Sequence, residues 1–218
     1  MAGNYTVKQG DHLSSIAKDF GFSDYRPIWN DPNNADIKEQ RKNPNVLFPG
    51  DILFIPDRDT RVEPGSTDQK HKFEVRLPAL KLRLVLEDLY EKPLANAECD
   101  LLIGSKTLHV TTDGDGKIEE IIPPQTHDAV LLIKDDQTPF QEVRIPIKIG
   151  TLDPVDEFSG QKMRLNNLGY FPGNAATAED QQFRSAVEEF QCDHHPPLAV
   201  DGVCGPQTQQ KLKQVHGC

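Results

Sequence analysis

Twice along this chain the spacing of the apolar residues changes period. Over residues 73–149 they alternate with other residues: Leu80, Leu82, Leu84 and Leu86 are interleaved with Lys81, Arg83, Val85 and Glu87, and Ile145, Ile147 and Ile149 repeat the pattern. On either side they fall three and four residues apart, as in Leu13, Ile16, Ala17 and Phe20, and again in Phe183, Val187 and Phe190. Alternation marks a half-buried strand, and the longer spacing marks one face of a helix. A length of 218 residues fits one large domain or two to three small ones. The change of period favours a multidomain α+β chain: a small βααβ domain over 1–57, an all-β sandwich over 73–149 and a small three-helix domain over 160–218. Linkers are expected over 58–72, with Pro64-Gly65-Ser66-Thr67-Asp68 at its centre, and over 150–159.

In the first segment, residues 7–9 read as a short strand ended by the Gly10-Asp11 turn. Asp11 is the expected N-cap of a helix over 12–20, because its carboxylate can accept an orphan backbone N–H. Gly21 supplies the left-handed stop. A second helical turn holds Tyr25, Ile28 and Trp29, with Pro27 tolerated in its first turn. Pro49-Gly50-Asp51 then turns the chain into a strand over 52–55.

The blocks Tyr5-Thr6-Val7-Lys8-Gln9-Gly10-Asp11-His12-Leu13-Ser14-Ser15-Ile16-Ala17, Asn43-Pro44-Asn45 and Leu47-Phe48-Pro49-Gly50-Asp51-Ile52 together resemble a LysM module. The resemblance implies that backbone groups around Gly10, Asp11, His12 and Leu13, and around Asn45, Val46, Leu47 and Phe48, contact glycan. For Leu13 and Leu47 the competing role is core packing. Asn30-Asp31-Pro32-Asn33-Asn34 and a short charged helix over 35–41 lengthen the module. This longer form resembles LysM-like modules of proteins associated with contractile injection machines, type VI secretion among them.

In the middle segment, Lys92-Pro93-Leu94-Ala95-Asn96-Ala97, Thr112-Asp113-Gly114-Asp115-Gly116-Lys117-Ile118 and Ile122-Pro123 resemble the transthyretin-like or carboxypeptidase-regulatory-like β-sandwich family. The resemblance implies a spacer domain. Residues 113–118 imitate a calcium loop only in part. In the twelve-residue pattern Thr111 would stand at position one and Ile122 at position twelve, so two oxygen ligands are missing. A hairpin turn is the expected structure there.

In the last segment, Met163, Leu165 and Leu168 form one helix stopped by Gly169, and Phe183, Val187 and Phe190 form a second. Gly205-Pro206 opens a third, with Leu212 and Val215 as its buried face. Arg164-Leu165-Asn166-Asn167-Leu168-Gly169-Tyr170, Ala186-Val187-Glu188-Glu189-Phe190-Gln191, Val200-Asp201-Gly202 and Gly205-Pro206-Gln207-Thr208 resemble a peptidoglycan-binding domain of the three-helix type. The resemblance implies an aromatic face from Tyr170 and Phe171, with Asp201, Gly202 and Gly205 near the binding loop. Filling the helix-loop core is the competing role for the two aromatics.

The net charge is −10, and the middle segment holds most of the acidic excess. An acidic chain lacks the basic footprint of a nucleic-acid binder. The longest aliphatic run, residues 129–133, is far too short to span a bilayer. The start, Met1-Ala2-Gly3-Asn4-Tyr5, has neither the charged nor the apolar region of a signal peptide. The expectation is a protein made in the cytoplasm and acting at the periplasm or cell wall, delivered by a contractile system. Cys99, Cys192, Cys204 and Cys218 show neither C-x-x-C nor zinc spacing. A bridge among the last three and free thiols both fit the sequence.

Asp193-His194-His195 is the one histidine cluster, and it lacks zinc-hydrolase spacing, so a solvated loop is expected. No paired carboxylates or Cys/His dyad stand in a recognisable catalytic arrangement. The expected protein is therefore non-catalytic, without metal or cofactor. It would bind peptidoglycan as an accessory of a contractile secretion apparatus, with spike, baseplate or toxin proteins as further partners. Two other classes stay open: an adaptor that docks protein partners without glycan, and a peptidoglycan hydrolase with an unrecognised site.

Overall fold

The computed structural model describes residues 2–58, 64–72, 79–88, 90, 92–134, 142–176 and 178–218. The expected linker and sandwich boundaries at 59–63 and 73–78 lie outside the described residues. The chain divides into two compact units. One comprises Met1–Tyr5, His12–Asn34 and Phe54–Gly150, and the other Thr6–Asp11, Ala35–Leu53 and Thr151–Cys218.

The N-terminal elements are β1 (Gly3–Thr6), α1 (Leu13–Asp19), α2 (Arg26–Trp29), a 3-10 turn over Pro32–Asn34, α3 (Ala35–Arg41) and β2 (Ile52–Ile55). Strands β1 and β2 form a two-stranded sheet. The first strand ends earlier than the sequence suggests. Val7 still bonds across, from its N–H to the Asp51 carbonyl and from its carbonyl to the Gly50 amide. The Lys8 amide instead turns back to Asp11 Oδ2 at 2.8 Å.

That turn also displaces the expected cap of α1. Asp11 is engaged with Lys8, and His12 takes the N-cap position: its Nδ1 accepts the Ser15 amide while Ser15 Oγ accepts the His12 amide. The expected stripe is inside, with Leu13, Ile16 and Ala17 almost fully buried, while Phe20 is 40% exposed and meets Tyr5 edge to face at 5.5 Å.

The inserted segment is pinned from within. Buried Asn34 donates from Nδ2 to the carbonyls of Ile28 and Phe54, and its Oδ1 accepts the Phe54 amide at 2.7 Å. The side-chain amide thus supplies β2 with the donor and acceptor that another strand would offer.

The sandwich consists of β3 (Leu80–Val85) paired antiparallel with β6 (Lys117–Ile122), and a four-stranded antiparallel sheet. Its order is β5 (Lys106–Thr111), β4 (Glu98–Ile103), β7 (Asp128–Lys134) and β8 (Glu142–Lys148). Alternation sends Leu80, Leu82 and Leu84 to the core, where Leu101, Ile118, Ile122 and Leu131 are buried. The opposite face of β3 carries Lys81 and Arg83, both paired with Glu119 at 2.8 Å.

Residues 112–116 join β5 to β6, strands of different sheets, so the loop is a corner between layers and not the expected hairpin. Asp113 Oδ1 accepts the amides of Asp115 and Lys117, which closes the turn.

The C-terminal helices are α4 (Phe158–Asn167), α5 (Gln181–Asp193) and α6 (Pro206–His216). They enclose Leu165, Phe183, Ala186, Val187, Phe190, Leu198 and Leu212. Gly160 is required where α4 starts, since a Cβ there would lie 1.9 Å from the Pro154 carbonyl oxygen. Two buried cations on α4 were not foreseen. Lys162 Nζ reaches the Ala178 carbonyl at 3.0 Å and lies over the Phe183 ring. Arg164 Nη1 donates to the carbonyls of Asp153 and Gly160. Burial pulls the Arg164 guanidinium below its usual pKa. Thr208 and Leu212 form the buried face of α6, whereas Val215 is 40% exposed. The inward position of the last turn goes to His216, whose Nε2 accepts from Asn167 Nδ2 at 2.9 Å.

All four cysteines are free. Cys99 is buried, and burial raises the Cys204 thiol to about 12.

Candidate functional site

Buried Gln191 on α5 organises the loop that the sequence marks with Asp201, Gly202 and Gly205. Its Oε1 accepts the amides of Asp201 and Gly202, each at 3.0 Å. Its Nε2 faces Asp201 Oδ1, the Val203 carbonyl and Thr208 Oγ at 2.9–3.1 Å. A single side chain thus ties the 201–203 loop to the first turn of α6. Gly202 has a φ of +69°, and a Cβ there would meet Glu188 Oε1 at 2.9 Å. Gly205 is the N-cap of α6, with Pro206 in the first turn.

Beside this hub lies an open cleft of about 380 Å³, with Gln191, Leu198 and Thr208 as buried elements and Asp201, Pro206 and Gln207 as exposed ones. Asp201 Oδ1 also accepts the Val203 amide at 2.9 Å. That amide, then Gln191, holds the Asp201 carboxyl below the usual carboxylate range.

The two candidate aromatics part company. Tyr170 packs edge to face on Phe190 at 5.4 Å and donates its hydroxyl to Asp193 Oδ2 at 3.0 Å, so its ring serves the core. Phe171 is 74% exposed, with a φ of +49°. Neither lines the cleft. Phe171 is presented by a loop held from beneath: Gln182 Nε2 donates to its carbonyl, Asn166 Nδ2 to that of Gly173, and Lys162 to that of Ala178.

His194 and His195 diverge, their Nδ1 atoms bonding the carbonyls of Phe190 and Leu198 respectively. The pair is tied to its own loop, in which Asp193, His195, Pro196 and Pro197 are exposed, as expected of a solvated segment.

In the N-terminal segment, His12, Leu13, Val46 and Leu47 are buried, with Leu13 fully so. Their side chains belong to the interior. Asn45 is exposed, while Gly10, with φ +90°, Asp11 and Phe48 are half-buried. Phe48 donates its amide to Asp51 Oδ2 at 2.9 Å, and Arg41 lies over its ring at 5.6 Å. Arg41 also forks onto Asp51, a link between the inserted helix and the turn that the sequence reading missed. A charged residue at the end of α3 with an acidic partner ten residues on was the available signal.

Comparison with known families finds a match at each end. Residues 161–212 match the PG_binding_1 peptidoglycan binding domain family, a span that begins on α4 and ends on α6. Residues 5–23 match the LysM domain family, a span that contains α1 and stops before α2. No curated protein and no solved structure matches the chain. Among the described residues, no helix is long and apolar enough to cross a membrane.

Proposed function

We propose that this protein binds peptidoglycan without cutting it, as an accessory that anchors or targets a contractile, type VI-like secretion apparatus or its cargo at the cell wall. The observation that carries the binding reading is the Gln191-centred cleft within a segment matching the peptidoglycan binding domain family. Asp201 and Gly205 line that cleft, Gly202 shapes its loop, and Phe171 offers a separate exposed ring for stacking on sugar. In the N-terminal segment the backbone near half-buried Gly10 and exposed Asn45 is the surface left for glycan, since the side chains of His12, Leu13, Val46 and Leu47 face inward. The secretion role rests on the likeness of the lengthened N-terminal module and the sandwich to injection-system components.

Co-sedimentation with purified sacculi tests the binding reading. The full chain is expected in the pellet with no soluble muropeptide released; a chain left wholly in the supernatant would refute it. Pull-down with spike, baseplate and toxin proteins tests the secretion role.

A second reading, a protein-docking adaptor, is favoured by the insertion. Asn34 and Arg41 fix residues 32–41 as a structured feature. On that reading, surface substitutions within 30–42 abolish assembly while changes at Gly10 and Asn45 leave it intact.

A further inference from the structure

Among the described residues that line the α5–α6 cleft, none is aromatic. A sugar ring would find no face to stack on. The cleft offers three other kinds of surface. Leu198, Val203 and Pro206 are aliphatic. Asp201 contributes a carboxylate fixed by the Val203 amide and by Gln191, so its orientation does not depend on ligand. The start of α6 supplies the third. Its cap is Gly205 and its first residue is Pro206, so the amides of Gln207 and Thr208 stand in a first turn with no carbonyl one turn back inside the helix. This is also the positive end of the helix dipole.

A carboxylate beside a helix start, joined by aliphatic wall, suits a ligand whose methylene chain ends in a carbon bearing both ammonium and carboxylate. We propose that this cleft binds the free zwitterionic end of the diamino dicarboxylic acid found in some peptidoglycan stem peptides. The ammonium pairs with Asp201, the carboxylate with the Gln207 and Thr208 amides, and the methylenes lie along Leu198, Val203 and Pro206. The inference rests on the peptidoglycan-binding reading and names the part of the polymer recognised. A lysine side chain at the same stem position has the ammonium but no carboxylate and would satisfy half the site. A glycan strand would satisfy neither charged element.

The test titrates the isotope-labelled full chain with three synthetic stem tetrapeptides. They carry meso-diaminopimelate, its side-chain carboxamide, or lysine. Backbone amide shifts of Val203, Gly205 and Thr208 are followed, with sacculus retention measured in parallel. The diaminopimelate peptide is expected to bind at least tenfold more tightly than the other two. Asp201→Asn, which keeps the Oδ1 acceptor for Val203 and removes the charge, is expected to weaken all three peptides about equally, since each carries the ammonium. The preference for the diaminopimelate peptide is kept and the melting temperature is unchanged. An affinity for the diaminopimelate peptide equal to that of the unmodified chain would overturn the role of Asp201. Equal binding of the three peptides to the unmodified chain would overturn the proposal, as would cleft shifts produced by a chitin oligosaccharide instead. Retention on sacculi with no peptide moving the cleft amides would sink this inference alone. Loss of retention would sink the binding reading, and this proposal with it.

Discussion

Arg41 and Asp51 form a two-pronged ion pair, Nε to Oδ2 and Nη2 to Oδ1, each at 2.8 Å, with side chains only 6% and 8% exposed. The fork joins the last residue of α3 to the turn that leads into β2. Asp51 Oδ2 also accepts the Phe48 amide, and the fork's side-chain hydrogen bonds to Asp51 raise the Arg41 pKa. Removing the guanidinium leaves a shielded carboxylate with one backbone donor. Arg41→Met is therefore expected to destabilise the chain by about 3 kcal/mol, read from chemical denaturation. Arg41→Lys, which keeps the charge but not the planar fork, should recover only part of it. An unchanged denaturation midpoint for Arg41→Met would show that the pair does not hold the turn.

Asn34 makes three hydrogen bonds to backbone from a buried position. Asn34→Leu keeps the branching and heavy-atom count of the side chain but removes the acceptor of the Phe54 amide and the donor to the Phe54 carbonyl, while the Ile28 carbonyl keeps the Asp31 amide. A loss of roughly 3 kcal/mol is expected, with faster hydrogen exchange at the Phe54 amide. Protection at Phe54 equal to that of the unmodified protein would contradict the added-strand role.

His216 is held neutral. Burial, then the neighbouring Arg164 charge, lowers its pKa from 6.5 to about 4. Protonation would also cost the bond in which Nε2 accepts from Asn167. Above the unfolded pKa both states are neutral and the full stability is present. As pH falls the unfolded state takes up the proton first, so stability declines from about pH 6.5 and levels off below about pH 4. The loss from this residue is at most roughly 3 kcal/mol. His216→Gln, which cannot titrate, should flatten the denaturation midpoint across that window. Parallel pH profiles for both proteins would exclude His216 as the source.

Phe171 occupies the left-handed region while showing most of its ring to solvent. Glycine adopts that backbone without steric cost. Phe171→Gly is thus expected to change stability by between zero and about +1 kcal/mol, while reducing sacculus retention several-fold. A variant with full retention would remove Phe171 from the binding surface.

The sequence by itself determined the local elements. Period-two leucines specify β3, helical spacing specifies the faces of α1 and α5, and Gly205-Pro206 starts α6, because each depends on residues a few positions apart. It also carried enough ordered blocks at the two ends for their families to be read. What depended on distant partners was decided only by the tertiary structure. Asp11 lost the cap because Lys8 claimed its carboxylate, and residues 112–116 became a corner because β5 and β6 pair with different strands. Lys162 and Arg164 look like surface charges in the sequence, yet loop carbonyls fold over them and replace water. The cleft follows the same logic. Its chemistry comes from a glutamine, a loop carboxylate and a helix start that only the tertiary hydrogen bonds of Gln191 bring together. Pattern and turn chemistry act along the chain, whereas burial and hydrogen-bond competition act across it, and the second set fixes what a ligand can touch.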